Sequence, residues 1–234
     1  MASGEKTPYR APVPVLEAGC FAQTWERKYY RLGNVFVKRS LRPREFQTNI
    51  HGRLFVPRVG NERLANEAAT LKFIREKTNI PVPSLICDFK DDESHYVIME
   101  YVEGIGMNDI PNEKKPLVYA EIREHLRTLR SLKSRTLGGP TGIVIPPFRV
   151  SRVSTNDEWN LKASDAEEYV FCHNDLSQQN IILDPDTFKI KAIIDWEYAG
   201  FFPGYFEKEI FLRLGHSDII KGEVDDRLCH DLQT

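Results

Sequence analysis

Residues 169–184 read YVFCHNDLSQQNIILD, and residues 189–198 read KIKAIIDWEY. Two short apolar runs, 168–172 and 181–184, flank the polar loop His173–Asn180. A third apolar run over 189–196 carries Asp195 near its end. The pattern is strand, loop, strand, then a further strand, with a carboxylate or amide at each place where the apolar character stops.

Asp175 and Asn180 share the loop, and Asp195 follows fifteen residues after Asn180. Phosphoryl transfer needs such a set. One carboxylate must orient the attacking hydroxyl and take its proton, while a carboxylate and an amide oxygen hold magnesium, which prefers a few hard oxygen ligands. Asp175 fits the first role; Asn180 and Asp195 fit the second. A loop Asp or Asn also serves simply to cap or turn the backbone. The flanking strands and the downstream Asp195 favour the chemical reading.

Outward from this stretch the chain has an α+β pattern rather than a regular βαβ repeat. Residues 1–18 are rich in Pro and polar groups and are expected to form an extended arm. Residues 27–38, RKYYRLGNVFVK, predict a hairpin about Gly33-Asn34. Residues 39–60 lack periodicity and read as a loop. Residues 61–78 predict a helix with Leu64, Ala68, Leu71 and Ile74 on one stripe, stopped by Pro81 and Pro83. Residues 84–89 and 95–102 predict two strands joined by Asp91-Asp92-Glu93. Gly104 and Gly106 loosen the chain after them and mark a boundary, dividing it into 1–102 and 103–234. Beyond it lie a long helix over 113–134, an irregular stretch over 140–168, and an aromatic segment, 198–215, expected to begin a last helix.

The run FCHNDLSQQNIILD with AIIDWEYAGF resembles the catalytic and metal-binding segments of the aminoglycoside phosphotransferase family, above all its short fungal members. It is also similar to the choline/ethanolamine kinases. The resemblance covers residues 35–214 and implies the two-lobed protein-kinase-like fold: a small β-rich N-terminal lobe with one long helix that binds nucleotide, and a mostly helical C-terminal lobe with the catalytic and substrate groups. It implies ATP and Mg²⁺ as cofactors, Asp175 as base, and Asn180 and Asp195 as metal ligands. The activity implied is transfer of the γ-phosphoryl group to a hydroxyl of a small molecule. Choline/ethanolamine-kinase-like activity and a silent nucleotide-binding pseudokinase are the alternatives.

That fold asks for a strand lysine gripping the nucleotide phosphates and a helix glutamate holding it. Lys38, in VFVK, and Glu67 are the candidates. Glu67 lies on the apolar stripe of its helix, where an inward carboxylate needs a cation. Phe36 shares the strand face of Lys38 and either stacks on the adenine or packs as core. Residues 98–102 resemble the hinge, where backbone groups of Glu100 and Val102 would read the adenine edge. The glycine-rich phosphate cover of protein kinases is absent, with Gly19 alone before the hairpin. Glu197 reads either as an added carboxylate for metal or substrate or as a surface residue. The aromatics between 196 and 206 read mostly as core, with an amine cage as the alternative.

Composition excludes other classes. Of 234 residues 41% are hydrophobic and the formal net charge is −2, so neither disorder nor an electrostatic footprint for nucleic acid or membrane is indicated. Cys20, Cys87, Cys172 and Cys229 form no zinc or redox spacing, and no apolar run is long enough to cross a bilayer. A cytoplasmic protein with reduced thiols and a small-molecule substrate is expected. Nothing indicates an oligomeric state.

Overall fold

The predicted hairpin forms between β2 (Arg27–Leu32) and β3 (Val35–Ser40). Gly33 takes φ 62° at the first central position of its two-residue turn, the place where this turn type calls for glycine. The second hairpin joins β4 (Leu85–Asp91) to β5 (Ser94–Glu100). Its central residues Asp92 and Glu93 both have positive φ, and Arg42 holds the Asp92 carboxylate at 2.8 Å. With β1 (Cys20–Gln23) these strands make a five-stranded antiparallel sheet, order β1-β2-β3-β5-β4. The computed structural model describes residues 16–151, 163–166 and 168–214. The expected arm over 1–18 lies almost wholly outside the described residues, and so does Cys229.

Helix α1 (Gly60–Lys77) packs on this sheet. Leu64, Ala68, Leu71 and Ile74 are all buried, as their spacing predicts. Each large apolar side chain so placed contributes about 1.5–3 kcal/mol. The flank of α1 is buried too, but with polar groups: Arg63, Asn66, Glu67 and Thr70. They face the rest of the chain rather than solvent, and this flank builds the site.

The remaining elements are β6 (Ile105–Gly106), α2 (Lys115–Ser131), β7 (Lys133–Ser134), α3 (Phe148–Ser151), β8 (Tyr169–Cys172), β9 (Ile181–Leu183), β10 (Ile190–Ile193) and β11 (Gly200–Phe202). They form two three-stranded sheets, β10-β9-β6 and β11-β8-β7. Val118, Ile122, Leu126 and Leu129 bury one stripe of α2. The main core joins α1, α2 and the strands around the polar loop, so residues on both sides of position 102 contribute to it.

Three expectations are corrected. Among the described residues beyond 102, only α2 is a long helix, standing with one short helix and six short strands. The aromatic segment from 198 forms β11 and two 3-10 turns rather than a helix, up to Leu214 where the described residues end. Gly200 lies against the Gly138 backbone, 2.9 Å from where a Cβ would stand; β-pairing to β8 and this close approach hold the segment extended. Gly104, expected to loosen the chain, marks a tight approach instead: a Cβ there would stand 2.4 Å from the Leu183 carbonyl oxygen.

Candidate active site

The loop between β8 and β9 is held open by Asn174, whose φ of 67° places it in the left-handed region, where asparagine is among the few tolerated side chains. Its amide donates to the Tyr198 carbonyl at 2.9 Å. His173 is fully buried beneath the loop. Burial pushes its pKa down to about 4, so the ring is neutral at pH 7. The Asp175 N–H donates to Nδ1 at 3.2 Å, which leaves Nε2 protonated to donate to the Ile194 carbonyl at 3.0 Å. One imidazole thus ties the Asp175 backbone to the residue before Asp195. A second tie runs from the Ile194 N–H to the Asn180 carbonyl, 3.0 Å.

These ties bring Asp175, Asn180 and Asp195 into one neighbourhood. Asn180 donates its amide N–H to the Asp175 carbonyl at 2.8 Å and to its carboxylate at 3.3 Å, which turns the Asn180 side-chain oxygen away from Asp175. The strand expected over 189–196 ends at Ile193. Asp195 itself is left-handed, φ 66°, and a 3-10 turn, Trp196–Tyr198, follows. This kink brings the Asp195 carboxylate to Lys38.

Lys38 meets two carboxylates. Its ammonium lies 2.6 Å from Glu67 and 2.7 Å from Asp195. Burial alone would drive the lysine toward its neutral form; Asp195 and Glu67 override that and hold its pKa above the ordinary lysine value. Glu67 is pushed up by burial despite Lys38. For Asp195 burial also pushes upward, but the Lys38 charge wins and the pKa falls below the ordinary aspartate value. The pairing of Lys38 with Glu67 expected from the sequence is present, and the same ammonium also meets Asp195.

Among the described residues no three His, Cys, Asp or Glu side chains gather as a metal cluster. The oxygen set here is the Asp195 carboxylate and the Asn180 amide, beside Asp175. Magnesium, which keeps several waters, fits so sparse an all-oxygen set; zinc, which favours nitrogen and sulfur ligands, does not.

Glu197 does not share a strand face with Asp195, because the 3-10 turn rotates it inward. It is neither a surface residue nor an open ligand. It is buried against Arg27 of β2, with Arg63 of α1 at 3.7 Å. Arg63 also pairs with Glu26 and reaches the Tyr198 hydroxyl. Asn66 donates to the carbonyls of Glu197 at 3.2 Å and Ala199 at 2.8 Å. Helix α1 is therefore latched to the turn after Asp195 by side chains the sequence did not single out. Their signal was available: polar residues at 63 and 66 flank the same helix as Glu67.

Glu207 is another residue missed. It is buried and accepts the N–H groups of His173 and, at 3.4 Å, Asn174. Arg149 donates to the Asn174 carbonyl at 2.8 Å. No spacing in the sequence joins positions 149 and 207 to the loop.

Phe36 lies on the Lys38 face, in a loose aromatic group with Tyr29 and Phe21, each centroid 6.1 Å away, and Tyr101 at 6.3 Å. At Glu100 the N–H donates to the Ser84 carbonyl at 2.8 Å, and the carboxylate binds Ser84 as well. Any base contact at Glu100 is thus left to its carbonyl. Where protein kinases carry a glycine-rich cover, β1 and β2 are joined by Thr24-Trp25-Glu26. The Thr24 hydroxyl accepts the N–H groups of Glu26 at 3.3 Å and Arg27 at 3.0 Å. Of the aromatics near 196–206, Trp196, Phe202 and Phe206 are buried, and Phe201 packs edge-on to Phe171 at 5.0 Å. These four form core, whereas Tyr205 is 43% exposed and Tyr198 lines a cavity beside Asp195.

The fold is that of the aminoglycoside phosphotransferases. Aminoglycoside phosphotransferase APH(3'')-Id from Streptomyces rimosus, solved with ADP and streptomycin, superposes with a TM-score of 0.53 at 18% identity, over 80% of this chain and 74% of that one. The family model for choline/ethanolamine kinase matches residues 87–210, and the chain belongs to the choline/ethanolamine kinase family. A probable choline kinase 2 of Arabidopsis thaliana is 28% identical over 193 residues, 81% of this chain and 50% of that protein. An aminoglycoside 3'-phosphotransferase of Streptomyces ribosidificus is 28% identical over 154 residues, 56% and 58% of the two chains. The chain thus spans about half the length of these curated relatives. No helix among the described residues is long and apolar enough to cross a membrane, and Cys20, Cys87 and Cys172 are free thiols.

Proposed function

We propose that the protein transfers the γ-phosphoryl group of Mg·ATP to a hydroxyl of a small molecule. The observation that carries this is Lys38, held at once by Glu67 and by Asp195. A buried lysine shared between a helix carboxylate and a candidate metal ligand is poised to exchange one partner for phosphate. Glu67, the more buried, keeps its end. Asp195 is left to the metal, with the Asn180 amide oxygen as the second ligand. A bound magnesium ion would supply positive charge against the phosphate oxygens.

Asp175 accepts the proton of the acceptor hydroxyl, and Asn180 and His173 hold its side chain and backbone in place. Lys38 grips the phosphates. In the proposed lobe division, 1–102 and 103–234, the adenine lies against the Glu100 carbonyl and Val102, with Phe36 beside the base. The family match and the nucleotide-bound relative support this assignment. A choline- or ethanolamine-type acceptor is the second reading, favoured by the family match over residues 87–210.

The test is ADP release from Mg·ATP with a panel of amino alcohols, sugars and aminoglycosides, beside Asp175→Ala and Asp195→Ala. Asp175→Ala lowers kcat by about 10²–10⁴-fold with nucleotide binding kept. Asp195→Ala abolishes the magnesium-dependent thermal shift given by ADP. If wild type shows no such shift, the proposal is wrong.

A further inference from the structure

Asp195 stands at a left-handed φ of 66°, a strained conformation for a residue with a Cβ, kept only where its neighbours enforce it. The chain before it is pinned from the C-terminal half. His173 and Asn180 hold the Ile194 backbone, and the buried Trp196 indole donates to the Ile193 carbonyl at 2.8 Å. The chain after it is pinned from the N-terminal half. Asn66 donates to the carbonyls of Glu197 and Ala199, and Arg27 of β2 pairs with the Glu197 carboxylate. Arg27 also donates to the Gly60 carbonyl at 3.2 Å, at the start of α1.

Asn66 has a single position open to it. It is fully buried. Its amide nitrogen serves two carbonyls of the turn, and its oxygen accepts the Thr141 hydroxyl at 3.2 Å. Gly139 closes over that oxygen so tightly that a Cβ there would stand 2.0 Å from it. Asn66 is also the residue before Glu67 in α1. Glu67, Lys38 and Asp195 form one line of charge contacts, and Asn66 closes that line into a ring through a neutral tie. In the phosphotransfer reading Lys38 turns from Asp195 to phosphate. The spacing of Asp195 from α1 then depends on Asn66 and on the Glu197–Arg27 pair.

We infer that Asn66 is a positioning residue for the metal-binding carboxylate of Asp195, and that the Glu197–Arg27 pair assists it. The inference rests on the phosphotransfer reading and adds to it residues that act on the metal site from behind, through the backbone of the turn. Neither Asn66 nor Glu197 touches the reacting atoms.

Calorimetry tests this by measuring ADP binding at a series of free Mg²⁺ concentrations and in EDTA. The series gives the Mg²⁺ concentration that half-saturates the gain in ADP affinity. Asn66→Ala raises that concentration about tenfold, the worth of two hydrogen bonds to the turn, and leaves ADP affinity in EDTA at the wild-type value. Its kcat recovers at high Mg²⁺, so the loss lies in the metal constant. Thr141→Val removes the bond at the other end of the same amide. It lowers the melting temperature without moving the Mg²⁺ constant. Arg27→Lys keeps a charge beside Glu197 but loses the guanidinium fork, and it raises the constant about threefold. Where Asn66→Ala does not fold, Arg27→Lys decides. An unchanged Mg²⁺ constant, or one moved equally by Thr141→Val, overturns the inference and leaves phosphotransfer standing. Wild-type ADP binding that gains nothing from Mg²⁺ overturns both.

Discussion

Beneath the candidate catalytic loop lie two buried titratable groups that respond to acid in opposite directions. Glu207 accepts the N–H groups of His173 and Asn174. Burial nevertheless pushes its carboxyl from 4.5 up to about 7, against the pull of those donors and of Arg149. The folded state therefore holds a proton that the unfolded chain releases between pH 4.5 and 7, so stability falls as pH rises through this window. At about 1.36 kcal/mol per pH unit, the effect is about 3 kcal/mol. His173 runs the other way. Burial depresses its pKa from 6.5 to about 4. Below pH 6.5 the unfolded chain gains a proton that the folded state refuses, so stability falls with acid, again by about 3 kcal/mol. Between pH 4.5 and 6.5 the two slopes cancel. Glu207→Gln keeps an oxygen to accept the two backbone N–H groups but cannot titrate. The His173 slope then stands alone, and the variant loses about 2–3 kcal/mol relative to wild type between pH 6.5 and 4.5. Denaturant melts followed by circular dichroism at half-unit pH steps measure this directly. Wild-type and Glu207→Gln stabilities that run parallel across that interval would refute the reasoning.

Glu197→Gln leaves Arg27 and Arg63 buried without their shared carboxylate and costs about 3–5 kcal/mol in a denaturant melt; Glu103→Gln, on an exposed pair with Arg31, costs about 0–1 kcal/mol. Lys38→Met removes the cation between two carboxylates, abolishes the thermal shift with Mg·ADP, and raises the Glu67 pKa further; an unchanged shift counts against the role given to Lys38. Gly104→Ala places a methyl 2.4 Å from the Leu183 carbonyl oxygen. It lowers stability by about 1–3 kcal/mol, whereas Gly142→Ala, with nothing near the added methyl, costs only what its positive φ of 76° imposes.

Local pattern alone determined the two N-terminal hairpins, the stripe of α1, the existence of α2, and the strand–loop–strand about Asp175. In each, hydrophobic period and turn chemistry act over a few residues, and the structure agrees to within a residue or two at most ends. Lys38 and Glu67 were legible as a pair because the resemblance to kinases asks for one, and because an inward carboxylate on an apolar stripe demands a cation. Only the tertiary structure decided the rest. Asp195 turns to Lys38 because the chain kinks into a left-handed residue after β10, and no nearby glycine signals that kink. Glu197 is clamped by arginines 170 and 134 residues distant in sequence, and Glu207 supports a loop more than thirty residues before it. The aromatic segment from 198 became strand and turn because β8 and the glycines at 138 and 200 offered pairing and close approach. Periodicity reports what a residue does to its own element; burial, charge pairing and backbone kinks are set by what the folded chain places opposite it.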